Sequence, residues 1–357
     1  MKRIAILAAL ALILFTQLSP AQVRKGQYVV GFYNLENLFD TYDDPAKDDA
    51  QFLPDGQNKW TEAKYAKKLE NMARVIRAMR DDNGCWHTIL GVSEIENRLV
   101  LEDLVSQPSI AAANYQIVHY DSPDRRGVDV GLLYDPTKFK LLDSETIPFT
   151  FEGTGVKITL DREEQENFRT RDILMAHGLI EGEHCAFYVC HLPSRLGGKG
   201  GDLRSLGADI IYRHSQKLAQ KYPGIKIAVM GDMNDDPFNE SMHKWLHGKR
   251  VLSEVHGGDF FNPFYTMLED GYGTLCYRDV WSIFDQVLVN DNLALADSGL
   301  QLIPIVKKKY FGRVFKKDFM VTQEGQYKGY PFRTFSNGAF VGGFSDHFPT
   351  YIVIGKQ

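Results

Sequence analysis

The sequence has little cysteine and no excess of positive charge. Only four of its 357 residues are cysteine, which is too few for a disulfide scaffold, so a hydrophobic core must hold the fold together. The 41 lysines and arginines are outnumbered by 46 aspartates and glutamates, which gives a formal net charge of −5. This balance excludes a strongly basic protein that binds polyanions without selectivity. A hydrophobic fraction of 44% and a charged fraction of 24% also exclude a disordered or collagenous chain.

Long hydrophobic runs are absent except at the N-terminus. Residues 4–15 form an almost purely apolar run after two basic residues, and Ser19-Pro20-Ala21 places small residues before a cleavage site at Gln22. The run is shorter than the roughly 20 residues that span a bilayer. We therefore expect residues 1–21 to be a cleaved signal peptide rather than a transmembrane anchor. The mature protein is then exported, to the periplasm or the extracellular space.

The cysteines do not have the spacing of a zinc site. Cys185 and Cys190 fall on opposite faces of one predicted strand, so we do not expect them to pair with each other. Cys85 and Cys276 lie near predicted loops, and a disulfide between them remains open at this stage.

Internal repeats of 20–50 residues are also missing, which excludes solenoids and propellers. Short apolar runs alternate instead with amphipathic stretches. The runs predict strands over 28–33, 88–93, 115–120, 128–134, 173–180, 186–190, 225–230, 284–289 and 348–354. Helices are predicted over 62–80, with Thr61 as the N-cap, and over 98–105, 203–222 and 239–246. Because these elements interleave without a linker, we predict one large α/β domain over 26–357, in which 139–169 and 252–280 are hairpins or functional loops.

Acids, amides and histidines stand at the ends of many predicted strands. They are Asn34, Glu94, His191, the pair Asp232 and Asn234, and the pair Asp346 and His347, while Asp285 lies near the start of its strand. Each one alone has an ordinary structural explanation, such as a turn or a helix start. Together they are unusually dense at positions where open α/β folds build their sites. The set therefore predicts an active site.

The residue types suit hydrolysis of a phosphoric ester at a divalent metal ion. Glu94 and Asp346 offer the carboxylate oxygens that Mg²⁺ or Mn²⁺ prefers. Histidines such as His191 and His347 can donate to phosphoryl oxygens whose charge grows in the transition state. An acid such as Asp285 beside a histidine fixes its tautomer and favours its cation.

The ordered motifs FYNLEN, VSEIEN, CHLPSR, GDMN, FDQVLV and SDHFP resemble the endonuclease/exonuclease/phosphatase superfamily, the metal-dependent phosphodiesterases related to DNase I and exonuclease III. The resemblance runs from Asn34 to His347 in the order of the family. It implies a four-layer α/β sandwich, with two stacked mixed β-sheets flanked by helices and the site at one edge. No core motif position departs from the pattern, so we expect an active enzyme.

The resemblance also implies a role for each motif residue. Asn34, Glu94 and Asp346 would belong to the metal site, with Glu94 as the principal ligand. His191 would contact the scissile phosphate, and Asp232 and Asn234 would position and activate the attacking water. Asp285 would orient His347 at the reacting phosphate. Family members have been interpreted with either the GDMN aspartate or the Asp–His pair as general base, and we favour Asp232.

Other basic residues are candidates for substrate binding. Arg171 stands where family members often carry a phosphate-contacting arginine, and Arg195 follows His191 close to Gly197-Gly198, beside Lys199. The stretch KKKYFGRVFKK at 307–317 interleaves rings and cations, which suits single-stranded nucleic acid. The same pattern is also typical of a solvated hairpin with alternating faces, and we favour that interpretation.

The leading hypothesis is an exported hydrolase that cleaves phosphodiester bonds, acting on nucleic acid as an endonuclease or exonuclease. The alternative on the same scaffold is a phosphomonoesterase or a lipid-headgroup phosphodiesterase of the inositol phosphate or sphingomyelin type. A binding protein without turnover is a third hypothesis, against which the intact motif set argues. The sequence shows no sign of a stable protein partner.

Overall fold

The computed structural model describes residues 25–195, 198, 200–305 and 309–356. The predicted signal peptide, Gly197 and Lys199, and the first two lysines of the basic stretch at 307–317 lie outside the described residues. In the part that is described, no helix combines the length and the apolar character needed to cross a bilayer.

Most of the chain is arranged as strands and helices that alternate along the sequence. The strands are β1 (Gln27–Leu38), β2 (Ile89–Ile95), β3 (Gln116–His119), β4 (Asp129–Tyr134), β5 (Lys140–Ile147), β6 (Ile173–Ile180), β7 (Glu183–His191), β8 (Lys226–Asp232), β9 (Gly248–Lys249), β10 (Phe260–Phe261), β11 (Leu275–Tyr277), β12 (Val280–Ser282), β13 (Asp285–Asn290), β14 (Gln301–Ile303), β15 (Gly312–Val314), β16 (Phe335–Ser336), β17 (Ala339–Phe340) and β18 (Thr350–Gly355). The helices are α1 (Glu62–Asn83), α2 (Arg98–Val105), α3 (Arg162–Asn167), α4 (Gly201–Lys221), α5 (Tyr265–Glu269) and α6 (Asp291–Ala294), and a π-helical turn covers Ser241–Trp245.

Two mixed seven-stranded sheets form the centre of the protein. The first has the order β14-β18-β1-β2-β4-β3, with β15 also paired to β18, and the second has the order β5-β6-β7-β8-β13-β10-β9. The strands β1 and β2 are parallel, as are β7 and β8, whereas β18 runs antiparallel to β1. Helices flank the two sheets, which confirms the predicted four-layer α/β class.

The inner strands of the second sheet are buried on both faces. On β7, Phe187 and Val189 belong to the core between the two sheets, while Tyr188 and Cys190 pack into a second core with the apolar side of α4. This arrangement explains the consecutive apolar residues from which the strand was predicted. At Gly91 in β2 the sheets come so close that a Cβ atom would lie 2.7 Å from the Met230 sulfur.

All nine predicted strands are present. The remaining strands are short or exposed, and they were not predicted from the sequence. β5 lies inside the predicted loop segment 139–169 and pairs with β6 at the edge of the second sheet. Its side chains are mostly exposed, so it has no apolar pattern. The four predicted helices are present as α1, α2, α4 and the π-helical turn. All four cysteines carry free thiols, so Cys85 and Cys276 are not paired.

Candidate active site at the strand ends

The sheet topology brings the polar strand ends to one edge of the sandwich. Asn34 pairs in register with Ser93 on the parallel strands β1 and β2, at the last regular pair before the register shifts to Leu38 and Ile95. In the second sheet, His191 stands beside Asp232 at the ends of β7 and β8, and Asp285 at the start of β13 lies opposite Asp232.

The segment before β18 reaches the same edge because β18 runs antiparallel to β1. The Ser345 hydroxyl donates a hydrogen bond to the backbone oxygen of Asn34 at 2.7 Å, and the backbone N–H of His347 donates to Ser345 Oγ at 3.1 Å. We call Asn34, Glu94, His191, Asp232, Asp285 and His347 the strand-end cluster.

Backbone irregularities shape this edge. The pairing of β1 with β2 is interrupted between Asn34 and Leu38, and the pairing of β2 with β4 is interrupted around Glu94. Glu36, Asn37 and Glu94 adopt left-handed backbone conformations with φ of 48°, 52° and 57°. Such conformations cost energy outside glycine and are typical of functional sites. They also let the Asn37 N–H donate to Glu94 Oε2 at 3.0 Å.

Asn34 connects the two acids of the cluster. Its Nδ2 donates to Asp232 Oδ2 at 3.0 Å and to Glu94 Oε1 at 3.3 Å. The other oxygen of Asp232 accepts the backbone N–H of Asn234 at 2.9 Å, while the Asn234 amide donates to the Leu192 carbonyl. Burial raises the pKa of Asp232 to about 7, and the nearby acids Asp285 and Glu94 add to that effect.

The two histidines of the cluster differ in their partners. His347 Nδ1 is 2.7 Å from Asp285 Oδ2, and its Nε2 is 3.9 Å from both Asp232 Oδ2 and Asp346 Oδ1. His191 Nε2 is 3.7 Å from Asp232 Oδ2 and 3.8 Å from Glu94 Oε1. The Nδ1 of His191 is buried and makes no hydrogen bond within the described part of the chain.

Their pKa values are shifted in opposite directions. Burial opposes the cation of His347, but the carboxylates of Asp285 and Asp232 outweigh it and hold its pKa well above the ordinary value. For His191, burial together with the positive charges of Arg171 and Arg126 holds the pKa well below that value. The site therefore contains one histidine that favours the cation and one that favours the neutral ring.

The predicted substrate arginines are engaged by protein groups. Arg171 donates to the carbonyl oxygens of His191 and Leu192 and forms an ion pair with Asp124 at 3.2 Å. Arg195 donates to the Asn234 carbonyl and pairs with Asp235 at 2.8 Å. Both arginines border the strand-end cluster, and their contact with substrate stays a prediction.

The sequence analysis assigned no role to three further charged residues at this edge. Glu36 lies within the FYNLEN motif and is buried between Lys68 Nζ at 3.7 Å and Arg333 Nε at 3.1 Å. Arg333 also reaches Asp346 Oδ2 at 3.0 Å. A lysine within the apolar side of α1 was the available signal for Lys68, whereas Arg333 lies near no predicted strand and carried no signal.

The described part of the basic stretch at 307–317 does not present a stacking surface. Tyr310 and Phe315 are buried in the core. Lys309 forms an ion pair with Asp270, and both Arg313 and Lys317 pair with Asp82. The rings that were candidates for stacking on nucleic acid are therefore used for packing.

The strand-end cluster fits a divalent cation by its donor chemistry. Glu94, His191 and Asp232 place potential ligand atoms within 4.8 Å of one another, and so do Asp232, Asp285 and His347. The carboxylate oxygens of Glu94 and Asp232 are the hard ligands that such cations prefer. Asp346, the third predicted metal residue, belongs to neither group of ligand atoms and contacts His347 and Arg333 instead.

Several solved structures share this fold at low sequence identity. An endonuclease/exonuclease/phosphatase family protein from Bacteroides thetaiotaomicron is 14% identical with a TM-score of 0.53, over 93% of this chain and 98% of that one. The mannosyl-6-phosphatase of Bacteroides thetaiotaomicron VPI-5482 is 14% identical with a TM-score of 0.52, over 91% and 99%. TDP2 of D. rerio, in complex with a single-strand DNA product, is 13% identical with a TM-score of 0.50, over 92% and 99%. These likenesses concern the fold alone.

A comparison at the level of the sequence gives the family. No curated protein matches this sequence significantly. The model of the Endonuclease/Exonuclease/phosphatase family matches residues 29–356, a range that contains the whole strand-end cluster. The chain belongs to the endonuclease/exonuclease/phosphatase family, whose enzymes hydrolyse phosphoric esters.

Proposed function

We propose that the protein is an exported hydrolase that cleaves a phosphoric ester at the strand-end cluster with the help of a divalent cation. The observation that carries the proposal is the meeting of two acids, Glu94 and Asp232, with two histidines, His191 and His347, at distances of 3.7–3.9 Å. These separations exceed a direct hydrogen bond, so a water molecule or a phosphoryl oxygen has room to lie between the groups.

The cation would be held by Glu94 and Asp232, whose carboxylates are both oriented by Asn34. When bound, Mg²⁺ or Mn²⁺ would neutralise charge on the phosphoryl oxygens. Asp346 is a further candidate ligand beside His347.

Asp232 is placed to act on the attacking water. Its two oxygens are fixed by Asn34 and by the backbone of Asn234, so the carboxylate has a defined orientation. A carboxylate held in this way can position a water molecule and accept its proton, which is worth about 10²–10⁴-fold in rate.

The histidines are placed to bind the reacting phosphate. The hydrogen bond that His347 Nδ1–H donates to Asp285 Oδ2 fixes the ring so that Nε2 faces Asp232 and Asp346. From that position Nε2–H can donate to a phosphoryl oxygen as its charge grows. Arg171, which bonds the backbone oxygen of His191, would position the second histidine.

A nuclease remains a candidate for the specific activity. It is supported by the shared fold with TDP2 in complex with a single-strand DNA product. The phosphomonoesterase alternative is supported by the shared fold with a mannosyl-6-phosphatase. In the described part of the basic stretch, Lys309, Arg313 and Lys317 form ion pairs with acids, and Lys316 lies over the rings of Trp281 and Phe348. Three of the four described cations of the stretch are therefore held by carboxylates, which favours the second candidate.

A metal-dependent panel tests the activity. Plasmid, oligonucleotide, RNA, sphingomyelin, inositol phosphate and small phosphomonoesters are incubated with the protein and Mg²⁺ or Mn²⁺. We expect turnover of at least one phosphoric ester, which disappears with a chelator and falls at least 10²-fold in Asp232→Asn. Turnover that is absent from every arm, or unchanged in Asp232→Asn, contradicts the proposal.

Export is tested separately. N-terminal sequencing of the protein recovered from the periplasm or the medium is expected to begin at Gln22. Recovery of an intact Met1 terminus from the cytoplasm alone contradicts export.

A further inference from the structure

A pocket of about 680 Å³ lies beside the strand-end cluster, within the range of small-molecule sites. One wall comes from the β11–β12 hairpin, with Tyr277, Arg278 and Asp279, and another from the β16–β17 hairpin, with Asn337. The segment between residues 321 and 334 completes it, and contributes one acid, one amide and three aromatic rings: Glu324, Gln326, Tyr327, Tyr330 and Phe332. We call this site the tyrosine pocket.

The tyrosine pocket adjoins the place where the phosphate would react. Arg333 lines the pocket and bonds Asp346, the neighbour of His347. The Trp281 ring lies between the two sites, with its centroid 6.3 Å from that of Tyr330 and 6.1 Å from that of Phe348, which follows His347. These contacts place the tyrosine pocket next to the strand-end cluster, on the side of Asp346 and Phe348.

The two hairpins that wall the pocket have the same turn but different residues in it. Each turn has two residues with positive φ, at 49° and 76° for Asn337-Gly338 and at 49° and 63° for Arg278-Asp279. Asn-Gly is the favoured pair for such turns, whereas an arginine at positive φ, as at Arg278, is strained there. The Tyr330 hydroxyl supports the strained turn, because it bonds both the backbone N–H and the carboxylate of Asp279 at 2.7 Å.

Three polar side chains of the pocket are available to a ligand. No hydrogen bond within the described residues engages the side chains of Glu324, Gln326 or Asn337. The charged lining residues are two arginines and two acids, so the pocket has no positive excess that would attract a polyanion. Planar amide, carboxylate and guanidinium groups each offer paired donors or acceptors, and tyrosine rings offer flat apolar faces.

We propose that the tyrosine pocket binds a neutral polyhydroxylated ring, the sugar or cyclitol that carries the phosphate. Such a ring has hydroxyl groups around its edge for the unpartnered polar side chains and apolar C–H faces for the tyrosines. This inference rests on the proposed function, since it identifies the organic part of the substrate cleaved at the strand-end cluster.

Kinetics on matched phosphoric esters test the inference. Hexose 6-phosphates (glucose, mannose and galactose) and myo-inositol phosphate are compared with phenyl phosphate and an oligonucleotide in the presence of Mg²⁺ or Mn²⁺. We expect a ring phosphate to have the highest kcat/KM. Comparison of the hexose phosphates with myo-inositol phosphate then shows whether the preferred ring is a sugar or a cyclitol. A preference for phenyl phosphate or for the oligonucleotide overturns the inference.

Variants locate the preference in the pocket. Glu324→Ala and Tyr327→Ala are each expected to lower the ratio of kcat/KM on the preferred ring phosphate to that on phenyl phosphate by about tenfold. The matched control is Glu152→Ala, an exposed glutamate outside the pocket, which should leave the ratio unchanged. An unchanged ratio in both pocket variants overturns the inference.

A binding measurement separates this inference from the hydrolase proposal. Calorimetric titration with a methyl hexoside and with myo-inositol is expected to detect binding to the wild-type protein that is lost in Glu324→Ala. If no ester is hydrolysed but this binding is seen, the hydrolase proposal fails and the ring site stands. If an ester is hydrolysed but neither ring binds, the ring site fails and the hydrolase proposal stands.

Discussion

The strand-end cluster and the tyrosine pocket lie side by side but are built in opposite ways. Cluster residues such as Asn34, Asp232 and Asp285 are almost fully buried, and strand register and hydrogen bonds fix them. Pocket residues stand on two short hairpins and the loop between them, and Tyr277 is 67% exposed. The side chains of the strand-end cluster are therefore held in place by their surroundings, whereas those of the tyrosine pocket are accessible to a ligand.

This difference separates chemistry from recognition. Groups that act on the phosphate need fixed positions, and the ends of packed strands supply them. Groups that choose the organic part of a substrate can lie on hairpins, where residues change without disturbing the sheets. Arg333 joins the two regions, because it lines the pocket and pairs with the buried Glu36.

The largest expected effect comes from the buried support of the cluster. Lys68 is fully buried, donates to Thr334 Oγ1 and the Phe344 carbonyl at 2.6 Å, and lies 3.7 Å from Glu36. Lys68→Met leaves Glu36 with a buried charge and weaker compensation, and should lower the free energy of unfolding by about 3–5 kcal/mol. Urea denaturation followed by circular dichroism measures the change.

The neighbouring lysine is the matched control. Lys67 is 46% exposed in its ion pair with Glu70. Lys67→Met should change the free energy of unfolding by no more than about 1 kcal/mol. Equal effects of the two variants would mean that the region under the cluster is no more tightly determined than the surface.

A smaller effect is expected on turnover from the cluster itself. His347→Gln replaces the ring, whose cation is stabilised by Asp285 and Asp232, with a neutral amide at the reacting phosphate. It should lower kcat by about 10²–10³-fold, or about 2.7–4 kcal/mol of transition-state stabilisation. KM for the preferred substrate should change much less, because the organic part is bound elsewhere. His243→Gln, at an exposed histidine, is the control that should leave kcat unchanged.

An effect of this substitution on KM instead of kcat would contradict the separation of chemistry from substrate recognition. If His347→Gln raised KM and left kcat intact, His347 would belong to recognition rather than to chemistry.

The cluster was predictable from the sequence because its residues depend on strand periodicity. An apolar run such as that of β8 fixes where the strand ends, and Asp232 follows from that end. Parallel neighbours then bring their ends together, as His191 and Asp232 do. The alternation of strands and helices likewise predicted one large α/β domain, whereas the four-layer arrangement was implied by the family resemblance.

Other parts depend on contacts between residues far apart in the chain. Glu36 contacts Arg333 and Lys68 only in the folded protein. No spacing in the sequence predicts these contacts. The pocket hairpins have strands of two or three residues, too short for an alternating pattern. The turn Arg278-Asp279 lacks the glycine or asparagine that marks such a hairpin, so it could not be predicted from its residues.

The smallest effects are expected from a substitution in that turn, which should raise the stability of the protein but weaken its binding of the ring phosphate. Arg278→Asn places a residue that tolerates the left-handed conformation at φ of 49° and removes the guanidinium from the pocket. Relief of strain should raise the free energy of unfolding by about 1 kcal/mol, less whatever the stacking of Arg278 on Tyr277 contributes at 5.2 Å. KM for the ring phosphate should rise about threefold to tenfold, as for the loss of one hydrogen bond.

The second hairpin is the natural control for this change. Asn337→Arg puts the disfavoured residue into the favourable turn, also at φ of 49°, and should lower the free energy of unfolding by a similar amount, about 1 kcal/mol. A stabilised Arg278→Asn protein with unchanged KM would show that the turn is strained without serving the pocket. A destabilised one would show that the arginine turn is not strained, and the contrast between the two hairpins would then have no energetic basis.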